Sequence, residues 1–280
     1  MQTSTPAAPP ARRSSRHPGL GPLLKDWRLR RRRSQMDLAL EAGVSPRHLS
    51  FIETGRARPS PQTLIALAQC LDVPLRERND LLLAAGFAPR YAERTLQEAD
   101  MAGVRDALER ILAAHDPLPG LVVDRHWNVV LANGGGRRLA AALPPALTTP
   151  TINVFRASLH PDGLARITEN FAEWAGIALG ALRRQVQRFG DPQLQALLDE
   201  VQAYPNVQAA LGAAASAEAP AAAMPLLVPF VLRLPAGRVS LFTTLTTFGT
   251  PRDITLEELC IELFYPADAE SAALLKGPTR

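Results

Sequence analysis

The 280 residues of this chain exceed the usual size of one domain, so two domains are expected. A hydrophobic content of 46% excludes a disordered chain, and every apolar run is too short to span a bilayer. The net charge of +4 is unevenly distributed, because residues 1–94 carry 16 Lys and Arg against 8 Asp and Glu, whereas residues 95–280 carry 15 against 19. This division favours nucleic acid as a partner of the N-terminal half alone.

The N-terminal residues 1–19 are rich in Pro, Ser and Arg, which is typical of a disordered basic tail. This tail lacks the apolar segment of a signal peptide. The two cysteines, Cys70 and Cys260, fall in different predicted domains and are expected to be buried thiols without a disulfide or a metal. These features predict a cytoplasmic protein with no membrane partner.

Residues 20–87 carry five short amphipathic patterns, which predict a compact all-α domain. At its centre, Gly43 suits a left-handed helix end, Ser45 suits an N-cap, and Pro46 suits the first helical position. Two short helices joined by a tight turn are expected, the second with Arg, His and Ser on its outer faces. Such a helix suits the major groove of DNA, where bases are read by hydrogen bonds and methyl contacts. The alternative is an ordinary helical hairpin with a solvated charged face.

The stretch from Ser34 to Ser60 resembles the helix-turn-helix of the lambda-repressor-like superfamily, in its XRE branch. The likeness is carried, at fixed spacing, by Ser34-Gln35, Leu38-Ala39, Ala42-Gly43-Val44-Ser45, Leu49-Ser50, Ile52-Glu53, Gly55-Arg56 and Pro59-Ser60. It implies a five-helix lambda-repressor-like DNA-binding domain in which the third helix reads bases and its flanks bind phosphates. The expected DNA-binding residues are Gln35, Ser45, Pro46, Arg47, His48, Ser50, Phe51, Thr54, Arg56 and Arg58.

Residues 88–116 contain apolar residues at helical spacing and are expected to form a helical linker. From residue 117 the pattern mixes strands and helices, which predicts an α+β domain over residues 117–275, with helices over one face of an antiparallel sheet. The predicted strands are Gly120–Asp124, Trp127–Ala132, Leu226–Leu234 and Arg238–Phe248, and the longer predicted helices are Gly163–Arg188, Gln193–Tyr204 and Thr255–Tyr265.

Five segments of this second domain resemble the MmyB-like regulators, whose C-terminal domain is a PAS-like ligand-binding domain. These segments are Leu121–Asn128, Asn153–Pro161, Asn170–Trp174, Thr246–Pro251 and Phe264–Asp268. The resemblance implies that a small apolar, fatty-acid-like molecule binds here and modulates DNA binding. Apolar walls and a cationic or donor group suit such a ligand. The candidates are Phe155, Arg156, His160, Phe171, Trp174, Arg183, Phe230, Phe242 and Phe248.

Two alternatives remain for the second domain. Its aromatic residues also suit an ordinary core, and the domain itself also suits a protein-interaction or dimerisation module without a ligand. The sequence contains no G-x-S-x-G, H-E-x-x-H or C-x-x-C motif and no phosphate-binding loop, so no enzyme, catalytic residue, metal or cofactor is predicted. The expected function is that of a sequence-specific DNA-binding transcription regulator, bound to a palindromic operator as a homodimer.

Overall fold

A computed structural model describes residues 19–216 and 227–276 of the chain. The chain divides into two compact units, and the boundary falls between Ala92 and Glu93. The basic tail predicted for residues 1–19 lies outside the described residues except for its last position. In the ranges that the structure describes, no helix has the length and apolar character needed to cross a bilayer.

The first unit is a bundle of five short helices. They are α1 (Leu20–Arg30), α2 (Gln35–Glu41), α3 (Pro46–Glu53), α4 (Pro61–Cys70) and α5 (Leu75–Ala84). Leu24, Leu38, Leu49 and Leu67, from four of these helices, are fully buried in one shared core. The all-α fold expected for this region is therefore confirmed.

Serine caps begin three of these helices, as short-range sequence rules predict. The hydroxyl oxygens of Ser34, Ser45 and Ser60 each accept a hydrogen bond, 3.1 Å long, from the backbone N–H three residues later. Each such cap satisfies a helix N–H group that has no partner inside the helix. Gly43 closes the preceding turn with φ at +67°, a conformation that favours glycine. These local interactions set the angle at which α3 follows α2.

The second unit is built on a five-stranded antiparallel sheet with helices on both faces. In chain order it contains a 3₁₀ helix (Ala99–Met101), α6 (Ala102–His115), β1 (Gly120–Val123), β2 (Val129–Ala132), α7 (Gly134–Ala140), α8 (Pro145–Thr148), α9 (Val154–Leu159), a 3₁₀ helix (Leu164–Ile167), α10 (Phe171–Phe189), α11 (Pro192–Gln202), α12 (Pro205–Ser216), β3 (Phe230–Leu234), β4 (Gly237–Thr246), α13 (Ile254–Glu258), β5 (Cys260–Pro266) and α14 (Ala269–Lys276). The strand order is β2-β1-β5-β4-β3. The expected α+β fold with an antiparallel, PAS-like sheet is confirmed. The expectation that the helices lie over one face is wrong, because α6 packs on the face that carries Val122, whereas α10 and α11 pack on the face that carries Val123.

The central strand of this sheet lies where the sequence predicted the helix Thr255–Tyr265, so that prediction is wrong. Only Ile254–Glu258 is helical, and β5 follows between β1 and β4. Residues of β5 alternate between the two faces of the sheet, which is the period of a strand. Ile261 packs with α6 on one face, whereas Phe264 packs with Phe230 on the other.

The predicted helix Gly163–Arg188 is divided in the structure by an extended segment at residues 168–169. The Thr168 backbone forms an isolated bridge with Leu232, and the N–H of Glu169 donates to the Val231 carbonyl at 2.8 Å. This backbone therefore pairs with the edge of β3, and α10 begins only at Phe171. The predicted strand Leu226–Leu234 is observed from Phe230, and its first residue lies outside the described residues.

Helix α6 differs from the linker expected over residues 88–116. Its apolar side chains Leu108 and Leu112 are buried against Val122 and Ile261 of the sheet. The helix is thus an integral part of the second unit, which begins at Glu93. Its amphipathic pattern was visible in the sequence, but the surface that it covers was not.

Candidate DNA-binding surface and ligand pocket

Helix α3 presents a polar surface opposite its buried stripe. Leu49 and Ile52 face the core with at most 1% exposure. The residues predicted to bind DNA all lie on α3, its preceding turn, its following loop or the start of α2, and all have accessible surface. Ser45, Pro46, Arg47, Thr54, Arg56 and Arg58 are exposed, whereas Gln35, His48, Ser50 and Phe51 are half-buried. The structure therefore brings these residues to one region of the first unit, and their contacts with DNA remain predictions.

Two side chains on α3 pack against each other on this outer surface. The Arg47 guanidinium carbon lies 5.3 Å from the centre of the Phe51 ring. A cation over an aromatic ring is weakly stabilised, and Arg47 is exposed to solvent. A guanidinium in this setting suits a base edge with two acceptors, such as guanine.

A buried ion pair, which sequence reasoning missed, fixes the end of α3 to α1. The Arg28 Nε and Nη2 atoms donate to the two carboxylate oxygens of Glu53 at 2.6 and 2.9 Å. Burial pushes the pKa of Glu53 upward, but hydrogen bonds from Arg28 and Gln35 outweigh it and lower the pKa below its ordinary value. At Gly21 a β-carbon would lie 2.4 Å from the Glu53 carbonyl oxygen, so α1 approaches α3 closely here.

The carboxylate of this ion pair also binds Gln35, one of the residues expected to bind DNA. The Gln35 Nε2 atom donates to Glu53 Oε2 at 2.7 Å. This bond holds the first residue of α2 in place and uses one of the two N–H groups of the amide. A phosphate contact by Gln35 would therefore use its backbone N–H or its remaining side-chain N–H.

Arg58, in the loop that follows α3, is also expected to bind DNA and also contacts the protein itself. Its Nε donates to the Ala85 carbonyl at 2.9 Å, and its guanidinium lies 5.0 Å from the Phe87 ring centre. The loop is thereby attached to the C-terminal end of α5, where a cation complements the helix dipole. Arg56, two residues earlier, is exposed.

The second unit contains an apolar pocket on the sheet face covered by α7 and α9 to α12. The pocket lies between two core clusters on this face of the sheet. Cys260 of β5 packs with one cluster, and Phe264 of β5 packs with the other. Glu262 lies between them and faces the gap. The pocket holds about 740 Å³, counting space open to solvent. It is lined by Pro119, Leu121, Val129, Ala132, Gly136, Arg137, Leu139, Ala140, Leu143, Ile152, Val154, Ala157, Ser158, Leu164, Trp174, Phe230, Glu262 and Phe264.

Helix α7 forms one wall of this pocket, and Asn133 holds it in place. The buried Asn133 Oδ1 accepts from the N–H groups of Gly136 and Gly120, at 2.8 and 2.9 Å. Its Nδ2 donates to the carbonyls of Leu112 and Leu118. One side chain thus joins the start of α7 to β1 and α6.

Two polar atoms in the pocket wall are buried without a hydrogen-bond partner. They are Glu262 Oε2 and Trp174 Nε1. Burial raises the pKa of Glu262 to about 7 from its ordinary 4.5, although a hydrogen bond with Thr243 lowers it in part. The Trp174 ring stacks on Phe230 with 4.4 Å between ring centres.

Of the residues predicted to bind a ligand, the structure places Trp174 and Phe230 in the pocket lining. Seven other predicted residues lie elsewhere. Phe155 packs against Trp127, Phe171 lies at the edge of the core cluster that contains Phe155, Phe242 stacks on Tyr265, and Phe248 lies beneath α6. Arg156 pairs with Glu200, His160 packs against Tyr204, and Arg183 is exposed on α10. The structure does not bring these seven to the pocket. Sequence reasoning favoured large aromatic walls, but most of the lining is aliphatic.

Comparisons with known protein families agree with both halves of this description. Residues 24–78 match a helix-turn-helix family model. Residues 104–276 match the model of the MmyB-like transcription regulator ligand binding domain, which covers more than half of the chain. A comparison with curated proteins gave no match.

Proposed function

The chain belongs to the MmyB-like transcription regulators, and on this premise we propose that it binds a palindromic operator as a homodimer, under the control of a small apolar, fatty-acid-like ligand. Its general role as a DNA-binding transcription regulator follows from the two family matches. The observation that carries the ligand proposal is the apolar pocket between the sheet and α7, α9 and α10.

The proposal for DNA binding rests on the surface of α3. The capped N-terminus at Ser45, the exposed Arg47 and the half-buried Ser50 lie on one helix whose other face is fixed in the core. A helix of this kind reads only a few base pairs, and two copies on a palindrome multiply the specificity. The expected separation of the half-sites is one helical turn of DNA, about 34 Å, or a multiple of it.

The proposal for an apolar ligand rests on the composition of the pocket. Aliphatic side chains from β1, β2, α7 and α9 supply most of its wall. A pocket of this kind binds a hydrocarbon chain through burial of apolar surface, at about 25 cal/mol for each Å² removed from water. We expect the bound molecule to change the DNA affinity of the homodimer.

The experiment that tests this function is selection of bound duplexes from a random pool by the full chain, with and without added lipid extract. We expect an enriched palindromic sequence whose recovery changes when the extract is present. Recovery of random duplexes alone would contradict sequence-specific binding. Native mass spectrometry of the protein purified from cells checks the ligand, since an empty homodimer would favour a dimerisation module instead.

A further inference from the structure

Residues 30–33 are four consecutive arginines that join the end of α1 to the start of α2. Three of them are engaged inside the first unit, and their partners are Asp26 for Arg30, the carbonyls of Leu71 and Asp72 for Arg31, and Glu41 for Arg33. The Arg32 side chain is exposed and forms no hydrogen bond or ion pair with any residue that the structure describes. Its guanidinium is therefore available to a partner outside this part of the chain.

The backbone of Arg32 has a conformation that favours a different residue type. Its φ is +53°, in the left-handed region that glycine adopts easily and that other residues adopt at a cost in free energy. Its neighbours hold the turn in this shape, since Arg33 N–H donates to the Arg28 carbonyl and Arg28 Nη1 donates to the Arg33 carbonyl, both at 3.0 Å. Glycine would suit this turn better, so the fold gives no reason for an arginine. Strain of this kind at an exposed side chain indicates a function.

The same hydrogen bonds place Arg32 beside the surface expected to bind DNA. Arg28, which binds the turn, also binds the carboxylate of Glu53, the last residue of α3, and Gln35 donates to that carboxylate as well. Arg32 precedes Gln35 by three residues, so their α-carbons are at most about 11 Å apart. The turn therefore lies at the edge of this surface, next to the C-terminal end of α3.

The charge of the first unit favours a polyanion at this edge. Residues 1–94 carry 16 Lys and Arg against 8 Asp and Glu, a net charge of +8. Duplex DNA presents one phosphate for about every 1.7 Å of its axis. A guanidinium binds a phosphate through two parallel N–H donors, and such contacts fix the position of a protein on the duplex without reading its sequence.

We propose that Arg32 binds a backbone phosphate of the DNA beside α3, and that this contact is the reason for an arginine where the backbone favours glycine. The inference rests on the proposed function, because it assumes that α3 lies in the major groove. It adds a phosphate ligand in the turn before α2, ahead of Gln35 in the chain.

The test compares Arg32→Gly with Arg90→Ala in the full chain. Arg90 is another exposed arginine of the first unit, so each variant loses one positive charge. Affinity for a duplex of mixed sequence is measured over a range of salt concentrations, because loss of a phosphate contact weakens binding to all sequences alike. We expect Arg32→Gly to lower the slope of log affinity against log salt concentration by about one for each bound chain. Arg90→Ala should leave this slope unchanged, and Arg32→Lys should retain it.

Melting curves separate a DNA contact from a structural role. In Arg32→Gly, relief of the left-handed backbone exceeds the added freedom of glycine in the unfolded chain, so the melting temperature of the first unit should rise by a few degrees. Arg31→Ala loses two hydrogen bonds to the turn between α4 and α5 and should melt at a lower temperature than the native chain. Weaker DNA binding together with higher stability is the expected signature of Arg32.

The outcomes distinguish this inference from the proposed function. If the native chain binds no duplex, the DNA-binding part of the proposed function fails and the inference fails with it. If the native chain binds duplex and Arg32→Gly loses no more slope than Arg90→Ala, the inference alone is overturned. A lower melting temperature for Arg32→Gly would also overturn it, because the arginine would then serve the fold.

Discussion

At the scale of single residues, Arg47 on α3 is the side chain that we expect to carry base recognition. Arg47→Ala should reduce the preference for operator over random duplex about tenfold or more, since a bidentate arginine contact contributes about 1–3 kcal/mol of discrimination. Competition binding with both duplexes measures this ratio. Arg90→Ala removes another exposed arginine of the same unit and serves as the control. Equal preference in Arg47→Ala and the native chain would contradict the base-reading role.

Arg58 should behave differently, because it contacts the protein as well as its expected phosphate. Arg58→Ala is expected to weaken binding to every duplex alike and to lower by about one the slope of log affinity against log salt concentration. Loss of its bond to Ala85 should also lower the melting temperature of the first unit. Salt titrations and melting curves measure the two effects separately, and a change confined to the operator would contradict this assignment.

The buried Glu262 makes a prediction about stability and pH. Its pKa is about 7 in the folded chain and 4.5 ordinarily, so the native state retains a proton that the unfolded state has lost between these values. The free energy of unfolding contributed by this group therefore falls as pH rises through that interval and is constant above it. Glu262→Gln removes this dependence and should raise Tm relative to the native chain by several degrees at pH 8 and by less at pH 5.

Thermal melts at both pH values measure this difference. Glu109→Gln, an exposed position on α6, is the matched control and should give a much smaller change. A Tm difference for Glu262→Gln that is equal at pH 5 and pH 8 would show that the carboxyl is not buried as the structure has it.

At the scale of elements, two helical glycines differ in how closely another backbone segment lies against them. A β-carbon at Gly135 of α7 would lie 2.5 Å from the Pro117 carbonyl oxygen, whereas at Gly176 of α10 it would meet nothing within 4 Å. Gly135→Ala should therefore push α7 from the loop before β1 and lower Tm. Gly176→Ala should raise Tm slightly, because alanine stabilises a helix interior by up to about 1 kcal/mol over glycine. Melting curves of the two variants check the opposite signs.

Elements defined by short-range signals were predictable from the sequence, and elements defined by distant contacts were not. Ser45 and Pro46 mark the start of α3 because an N-cap needs only the next turn of the chain. The strand β5 was missed because Glu257 and Glu258 also suit the first turn of a helix. Its strand character comes from pairing with β1, more than a hundred residues earlier. Local propensity gives way to such tertiary pairing.

The pocket could not be predicted from the sequence, for a related reason. It is the space left between two packed clusters, and no local pattern encodes such a gap. Trp174 and Phe230 were named because aromatic residues at helical or strand spacing suit an apolar wall, and the same argument named four aromatic residues that lie outside the pocket lining. Glu262 was missed because it fell within a helix that the structure replaces with a strand. A glutamate in the central strand of a sheet is the signal that a correct strand prediction would have revealed.

At the scale of the whole molecule, the two units differ in net charge and in partner. The half that carries α3 is basic, as binding to phosphates requires, and the half that carries the pocket is acidic. A regulator of this design needs a coupling free energy between its two sites, and such coupling is reciprocal. If the pocket ligand changes operator affinity by a given factor, operator must change ligand affinity by the same factor.

This reciprocity gives a prediction for the full chain. Calorimetric titration with decanoate, a fatty acid, repeated in the presence of saturating operator, should give an affinity shifted by the factor that decanoate produces in operator binding, typically about 5- to 150-fold. Arg47→Ala is the control, because it should bind decanoate normally without responding to operator. Since α3 and the pocket lie in different units, a shift of this kind requires a change transmitted between them. Decanoate affinities that are equal with and without operator would show that ligand binding and DNA binding are independent.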